Sequence, residues 1–187
     1  MAGLRTFVTI ELPEKVREHL NYTIERLRSD LPGIRWVRPH GFHLTLKFLG
    51  EVEEERVPHV VEAVNAVAGG LRPLTLRVSS IGGFPQSDRA RVVWVGIEGE
   101  LEAFSSIQEG VEQALDPLGF SGEERKFHPH VTLGRASHRP VSLARACVDL
   151  SEGDPFSVDR VQVIRSDLHR DGARYTTLGC GKFGDPA

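Results

Sequence analysis

Two short stretches of the chain carry the residue types that acid–base chemistry uses: His43-Leu44-Thr45-Leu46 and His130-Val131-Thr132-Leu133. Both are apolar and strand-prone, and successive side chains of a strand face opposite ways. His43 and Thr45 therefore share one face, with Leu44 and Leu46 behind them, and His130 and Thr132 stand in the same relation to Val131 and Leu133. One ring and one hydroxyl on each of two strands make the two walls of a single site. Histidine changes charge near neutral pH. One ring can therefore give a proton while the other takes one, as displacement at a phosphoryl or acyl centre requires. The threonine hydroxyls can donate hydrogen bonds to oxygens on which negative charge develops.

Three further residue types near the motifs suit an anionic, aromatic ligand. Lys47 has the parity of His43 and Thr45, so strict alternation points it into the cleft as a phosphate-attracting cation. Its counterpart is Gly134, followed by Arg135. Alternation alone turns Arg135 away, but a glycine at that point can break the pleat and bring the guanidinium round, where it would hold phosphate oxygens bidentately. Phe7, Phe42 and Phe48 are candidates for stacking a base.

The elements that must position these residues recur as well. The two motif histidines are 87 residues apart, and sliding Val8–Leu46 by 87 without a gap makes nine of 39 positions identical. Composition alone gives roughly two or three. In each half the order is strand, helix, turn, then the His-Thr strand. Phe7–Leu12 reads as a buried strand. Pro13 opens a helix whose inner face is Val16, Leu20, Ile24, Leu27 and Leu31. Ile34–Val37 is a short strand, and Phe42–Leu49 is the first motif strand, closed by Gly50. Glu53–Ala68 is a helix and Leu74–Ile81 a strand, with Gly82–Asp88 a loop. Arg91–Ile97 is a strand, Leu101–Leu118 a helix, Gly119–Phe127 a polar connection and Val131–Arg135 the second motif strand. Val141–Leu150 is expected to be a short helix, and Val158–Ser166 with Arg174–Leu178 a closing hairpin around His169–Gly172. The expected class is α+β: a bilobal, pseudo-twofold fold with antiparallel or mixed sheets lining a central cleft and helices outside. Residues 1–187 are read as one two-lobed domain with an internal repeat at about 7–50 and 94–137.

A net charge of −3 excludes the global basic field with which a long polyanion is gripped non-specifically. Cys147 and Cys180 have neither metal-type nor redox-type spacing and read as free thiols in a reducing compartment. Met1–Arg5 has no signal-peptide pattern, and no apolar run reaches spanning length. The expectation is a cytoplasmic protein that does not associate with membranes and acts as a monomer.

The sequence resembles the two-histidine phosphoesterase superfamily. More closely, it is similar to the bacterial and archaeal RNA 2′,3′-cyclic phosphodiesterases, also called 2′-5′ RNA ligases. The resemblance lies in Phe7–Pro13, Trp36-Val37-Arg38, His43–Gly50 and His130–Arg135, with Arg165–Leu168, Gly172 and Tyr175 like the family's final hairpin. It covers nearly the whole chain. It implies hydrolysis of a terminal 2′,3′-cyclic phosphate to a 2′-phosphomonoester, with His43 as proton donor, His130 as proton acceptor and no metal or other cofactor. The expected partners are RNA ends bearing that phosphate, or cyclic nucleotides. Ring opening needs a base for the attacking water and an acid for the departing ribose oxygen. In-line attack sets these on opposite sides of the phosphorus, which two facing strands provide.

Three other assignments compete. Ligation of RNA ends could run in the same site, although ring opening is strongly downhill in water. A module that only binds RNA ends or nucleotides has no need of an acid–base pair. A metal site could use His40, His43, His128 and His130, but the repeat pairs His43 with His130 and leaves His40 and His128 unmatched.

Overall fold

The computed structural model describes residues 3–123, 126–146, 150, 153–169 and 172–184. Nine strands and three α-helices are present among them: β1 Leu4–Glu11, α1 Glu14–Leu27, β2 Ile34–Trp36, β3 His43–Val52, α2 Val57–Gly69, β4 Leu74–Phe84, β5 Val92–Gly99, α3 Leu101–Leu115, β6 His130–Ala136, β7 Phe156–Val158, β8 Arg160–His169 and β9 Gly172–Lys182. All strand pairings among the described residues are antiparallel. The order is β7-β4-β5-β6-β3-β1-β8-β9, with β2 attached to β6. The halves β7-β4-β5-β6 and β3-β1-β8-β9 meet between the two motif strands, through one residue pair, Leu44 with Val131. The class is α+β and bilobal, and the expected two sheets are continuous through that pair.

Each helix forms because its apolar residues recur at three- and four-residue spacing. Val16, Leu20, Ile24 and Leu27 are buried on α1, Val60, Val64 and Ala68 on α2, and Phe104, Ile107, Val111 and Leu115 on α3. Burying each of the larger side chains contributes roughly 1.5–3 kcal/mol. These stripes and the inner faces of both sheet halves, Leu44 and Val131 included, make one core. The opposite face of β3 and β6 is left for the histidines and threonines. No helix among the described residues is long and apolar enough to cross a membrane.

Several expected boundaries move. β3 runs on through Gly50 to Val52. β4 continues through Gly82 and Gly83 to Phe84, so the loop begins three residues later than expected. Gly82 is needed there because the Trp94 ring lies against it: a Cβ would sit 2.2 Å from Trp94 Cη2. Residues 141–146 form a bridge from Val141 to Ala90 and a turn instead of a helix, because backbone pairing takes Val141. Val158 ends β7, and the chain restarts as β8 at Arg160. Cys180 is an exposed free thiol. Cys147, residues 148–149, Arg125 and the hairpin residues Arg170 and Asp171 lie outside the described residues.

The gapless offset of 87 holds for the motif strands and not for the strands beside them. In one half Ile10 pairs with Leu44 and Thr9 with Thr45. In the other, Val95 pairs with Val131 and Trp94 with Thr132. Against their motif strands, β1 and β5 thus correspond at an offset of 85. A slip of two residues leaves every side chain on its original face, so the hydrophobic pattern alone does not reveal it.

Candidate active site

Leu44 and Val131 are both buried and lie opposite each other. The residues flanking them, His43, Thr45, His130 and Thr132, are half-buried and point to the other face. Because β3 and β6 run antiparallel, His43 stands on the Thr132 side of the join and Thr45 on the His130 side. A local twofold axis therefore passes through the Leu44–Val131 pair. Neither threonine hydroxyl has a hydrogen-bond partner among the described residues.

The same bulge follows each motif. On β3 the register jumps from Thr9–Thr45 to Val8–Lys47, passing over Leu46. On β6 it jumps from Trp94–Thr132 to Val93–Gly134, passing over Leu133. An extra residue reverses the parity of everything after it. Lys47 therefore turns into the core, where it is 2% exposed, pairs with Glu112 of α3 and donates to the carbonyl oxygen of Ser121 at 2.8 Å. Its expected place in the cleft is overturned. The parity reversal that removes Lys47 brings in Arg135, as the glycine before it suggested. A Cβ on Gly134 would come within 2.5 Å of Ile34 Cγ2, so the bulge closes tightly onto β2. Arg135 lies near enough to both histidines to help lower their pKa values. Phe48, at the matching place in β3, is 55% exposed.

Phe7 pairs with Phe48 on the cleft face but is only 3% exposed. Its ring packs 4.8 Å from the His43 ring and 5.7 Å from Tyr175. It supports His43 and has no face open for a base, which overturns the stacking role expected of it. Tyr175 of β9 meets His43 edge-on at 5.3 Å, and burial raises its hydroxyl pKa. His130 has a comparable enclosure of Phe84, edge-on at 5.0 Å, and Trp94 at 6.0 Å. Sequence patterning missed Phe84 and Trp94 as neighbours of the site. The signal was Trp94, two places after Val92 on a strand whose alternation leads to the cleft.

These enclosures set the electrostatics. His130 Nδ1 lies 2.7 Å from the carbonyl oxygen of His128, so Nδ1 carries the proton and Nε2 is left to the cleft. The Gly41 backbone lies close enough to the His43 ring to favour its protonated form. Burial pushes the His43 pKa down to about 4, and nearby His130 and Arg135 push the same way. Burial also lowers the pKa of His130, helped by His128 and Arg135. Both shifts favour the neutral ring, and the charge beside them is that of Arg135. His128 stacks on His130 at 6.2 Å, but among the described residues no three His, Cys, Asp or Glu side chains are grouped to hold a metal ion.

Known proteins share this arrangement of chain and fold. An RNA 2′,3′-cyclic phosphodiesterase of Thermotoga maritima is 32% identical over 177 residues, covering 94% of this chain and 93% of that protein. One from Aeropyrum pernix is 36% identical over 150 residues, covering 78% and 84%. A crystal structure from Thermus thermophilus superposes with a TM-score of 0.82 at 28% identity, covering 98% of this chain and all of that one. Escherichia coli LigT, solved with 3′-AMP, gives 0.80 at 26% identity, covering 97% and 98%. The family model described as LigT like phosphoesterase matches residues 10–94 and again 95–175. With nearly the whole chain matched in two successive segments that meet at β5, this protein belongs to the LigT-like phosphoesterase family.

Proposed function

We propose that the protein is an RNA 2′,3′-cyclic phosphodiesterase that opens a terminal cyclic phosphate to a 2′-phosphomonoester, using two histidines and no metal. The observation that carries this reading is the placement of His43, Thr45, His130 and Thr132 about one twofold axis on an open face, with Arg135 beside them. The names of the curated relatives support the substrate, as do the structures of Escherichia coli LigT with 3′-AMP and with phosphate.

The diester anion binds over the axis, held by the Thr45 and Thr132 hydroxyls and the Arg135 guanidinium. Its negative charge offsets the burial that keeps the histidines neutral, and so returns a proton to one of them. His43 takes the part of the acid and protonates the departing ribose oxygen. His130, its Nδ1–H anchored on the His128 carbonyl, presents Nε2 as the base for the attacking water. Phe48 offers a broad exposed aromatic face on the wall and stacks the terminal base. Both walls come from one chain, which suits a cytoplasmic monomer acting on free RNA ends. Residues 7–50 and 94–137 are read as duplicated units of a single domain.

Phosphorus NMR of the protein with a short cyclic-phosphate-ended RNA in EDTA tests the reading. Conversion to a 2′-phosphomonoester is expected. His43→Ala and His130→Ala should each slow it about 10²–10⁴-fold with unchanged far-UV circular dichroism. Failure of the wild type to convert the RNA would sink the hydrolase reading and leave end-joining or end-binding. Activity lost in EDTA and restored by a metal would replace the two-histidine mechanism.

A further inference from the structure

A groove of about 480 Å³ leads away from the histidines between β2, the far end of β6 and the β8–β9 hairpin. Tyr175, which touches the His43 ring, lies at its inner end together with Arg135. Arg35 of β2 lines it and stands directly opposite Arg135 in the strand pairing. Residues directly opposite on neighbouring strands project on the same side, a few ångströms apart, and two like charges there repel. Neither guanidinium has an ion-pair partner among the described residues, and no described carboxylate lines the groove. Val37, Ala173 and Leu168, which is 70% exposed, are among its apolar lining; Trp36 borders it too, but alternates with Arg35 and packs its half-buried ring against the core. Adjacent cations without a counterion form the combination that takes a phosphate.

The groove has no pseudo-twofold partner among the described residues. Residues 121–123, which stand 87 after β2, form no strand, and Lys47 is drawn to the carbonyl of Ser121. Among the described residues the groove and its two facing arginines therefore lie on the β2 side of the cleft.

We propose that this groove binds the nucleotide on the 5′ side of the reactive end, with Arg35 on the phosphodiester that joins it to the terminal ribose. The assignment rests on the cyclic phosphodiesterase reading and makes the physiological substrate an RNA chain in preference to a cyclic mononucleotide.

The test compares kcat/KM for a nucleoside 2′,3′-cyclic phosphate and a short single-stranded RNA with the same end, in wild type, Arg35→Gln and Arg35→Lys. The wild type should prefer the RNA. Arg35→Gln should reduce the RNA-to-mononucleotide ratio about tenfold, through KM, and Arg35→Lys should restore part of it. The slope of log affinity for RNA against log salt should fall by about 0.7, one phosphate's worth on a single strand. An equal loss on both substrates would make Arg35 a support of the cleft and overturn the groove, as would an unchanged ratio. If the wild type opens neither substrate, the hydrolase reading fails by itself. Fluorescence anisotropy with labelled RNA then decides the groove: weaker binding by Arg35→Gln upholds it, and unchanged binding overturns it.

Discussion

At the scale of single residues, the burial of His43 has a measurable effect on stability. In the unfolded chain its ring titrates near the ordinary value of 6.5, and in the fold at about 4. Between those values the unfolded state holds the extra proton, so stability rises with pH. The contribution is complete above about pH 6.5 and is lost as pH falls toward about 4. It amounts to roughly 3 kcal/mol over that span, and His130, shifted the same way, adds to it. Urea denaturation of the wild type should therefore show a steep loss of stability from about pH 7 to about pH 4. His43→Gln, which carries no titrating ring, should lose distinctly less. Parallel losses in the two proteins would mean that the ring is not buried as described. The four His and Thr positions were legible in the sequence because they occur twice at one spacing. Phe7 was misassigned because an aromatic ring beside a motif looks the same in sequence whether it faces the ligand or supports the histidine. Only packing against Tyr175 distinguishes the two.

At the scale of elements, the paired bulge decides which cation belongs to the site. Period-two alternation puts Lys47 in the cleft and Arg135 outside it, and one extra residue in each strand exchanges them. Gly134 signals its bulge in sequence. Leu46-Lys47 carries no such mark, so the bulge in β3 is invisible there. In the core, Lys47 ties β3 to α3 through Glu112, whose other oxygen accepts from Gln108 at 3.0 Å. Removing one member of a buried pair leaves the other charge uncompensated. Lys47→Met should accordingly lower the stability of the fold by roughly 3 kcal/mol, and Lys47→Met with Glu112→Leu should recover most of it. Activity per folded molecule should change little in either variant. A large loss of kcat/KM at full folding would return Lys47 to the cleft. Gly82 and Gly83 show the opposite limit of local reading: glycine suggests a turn, and here Gly82 makes room for an indole ring within a strand.

At the scale of the whole molecule, alternating strands and helices and the repeat were enough to give an α+β, two-lobed architecture. They did not show how the lobes join. That depends on a long-range pairing, Leu44 with Val131, which leaves no local trace. Nor could they show the two-residue slip between β1 and β5, since alternation is blind to even displacements. The join has a consequence for the direction of the proposed reaction. Residues related by a twofold axis cannot by themselves tell an incoming ribose from one turned end for end. In that inner ring, donor and acceptor are interchangeable titles. What ranks them is the unlike rim: Phe48 where the other half has Arg135, and a strand with its groove where the other half has a lysine-tethered loop. On the proposed mechanism, acid and base are thus assigned by the docking polarity of the substrate, and a pair of equal parts acquires a front and a back from residues that take no part in proton transfer.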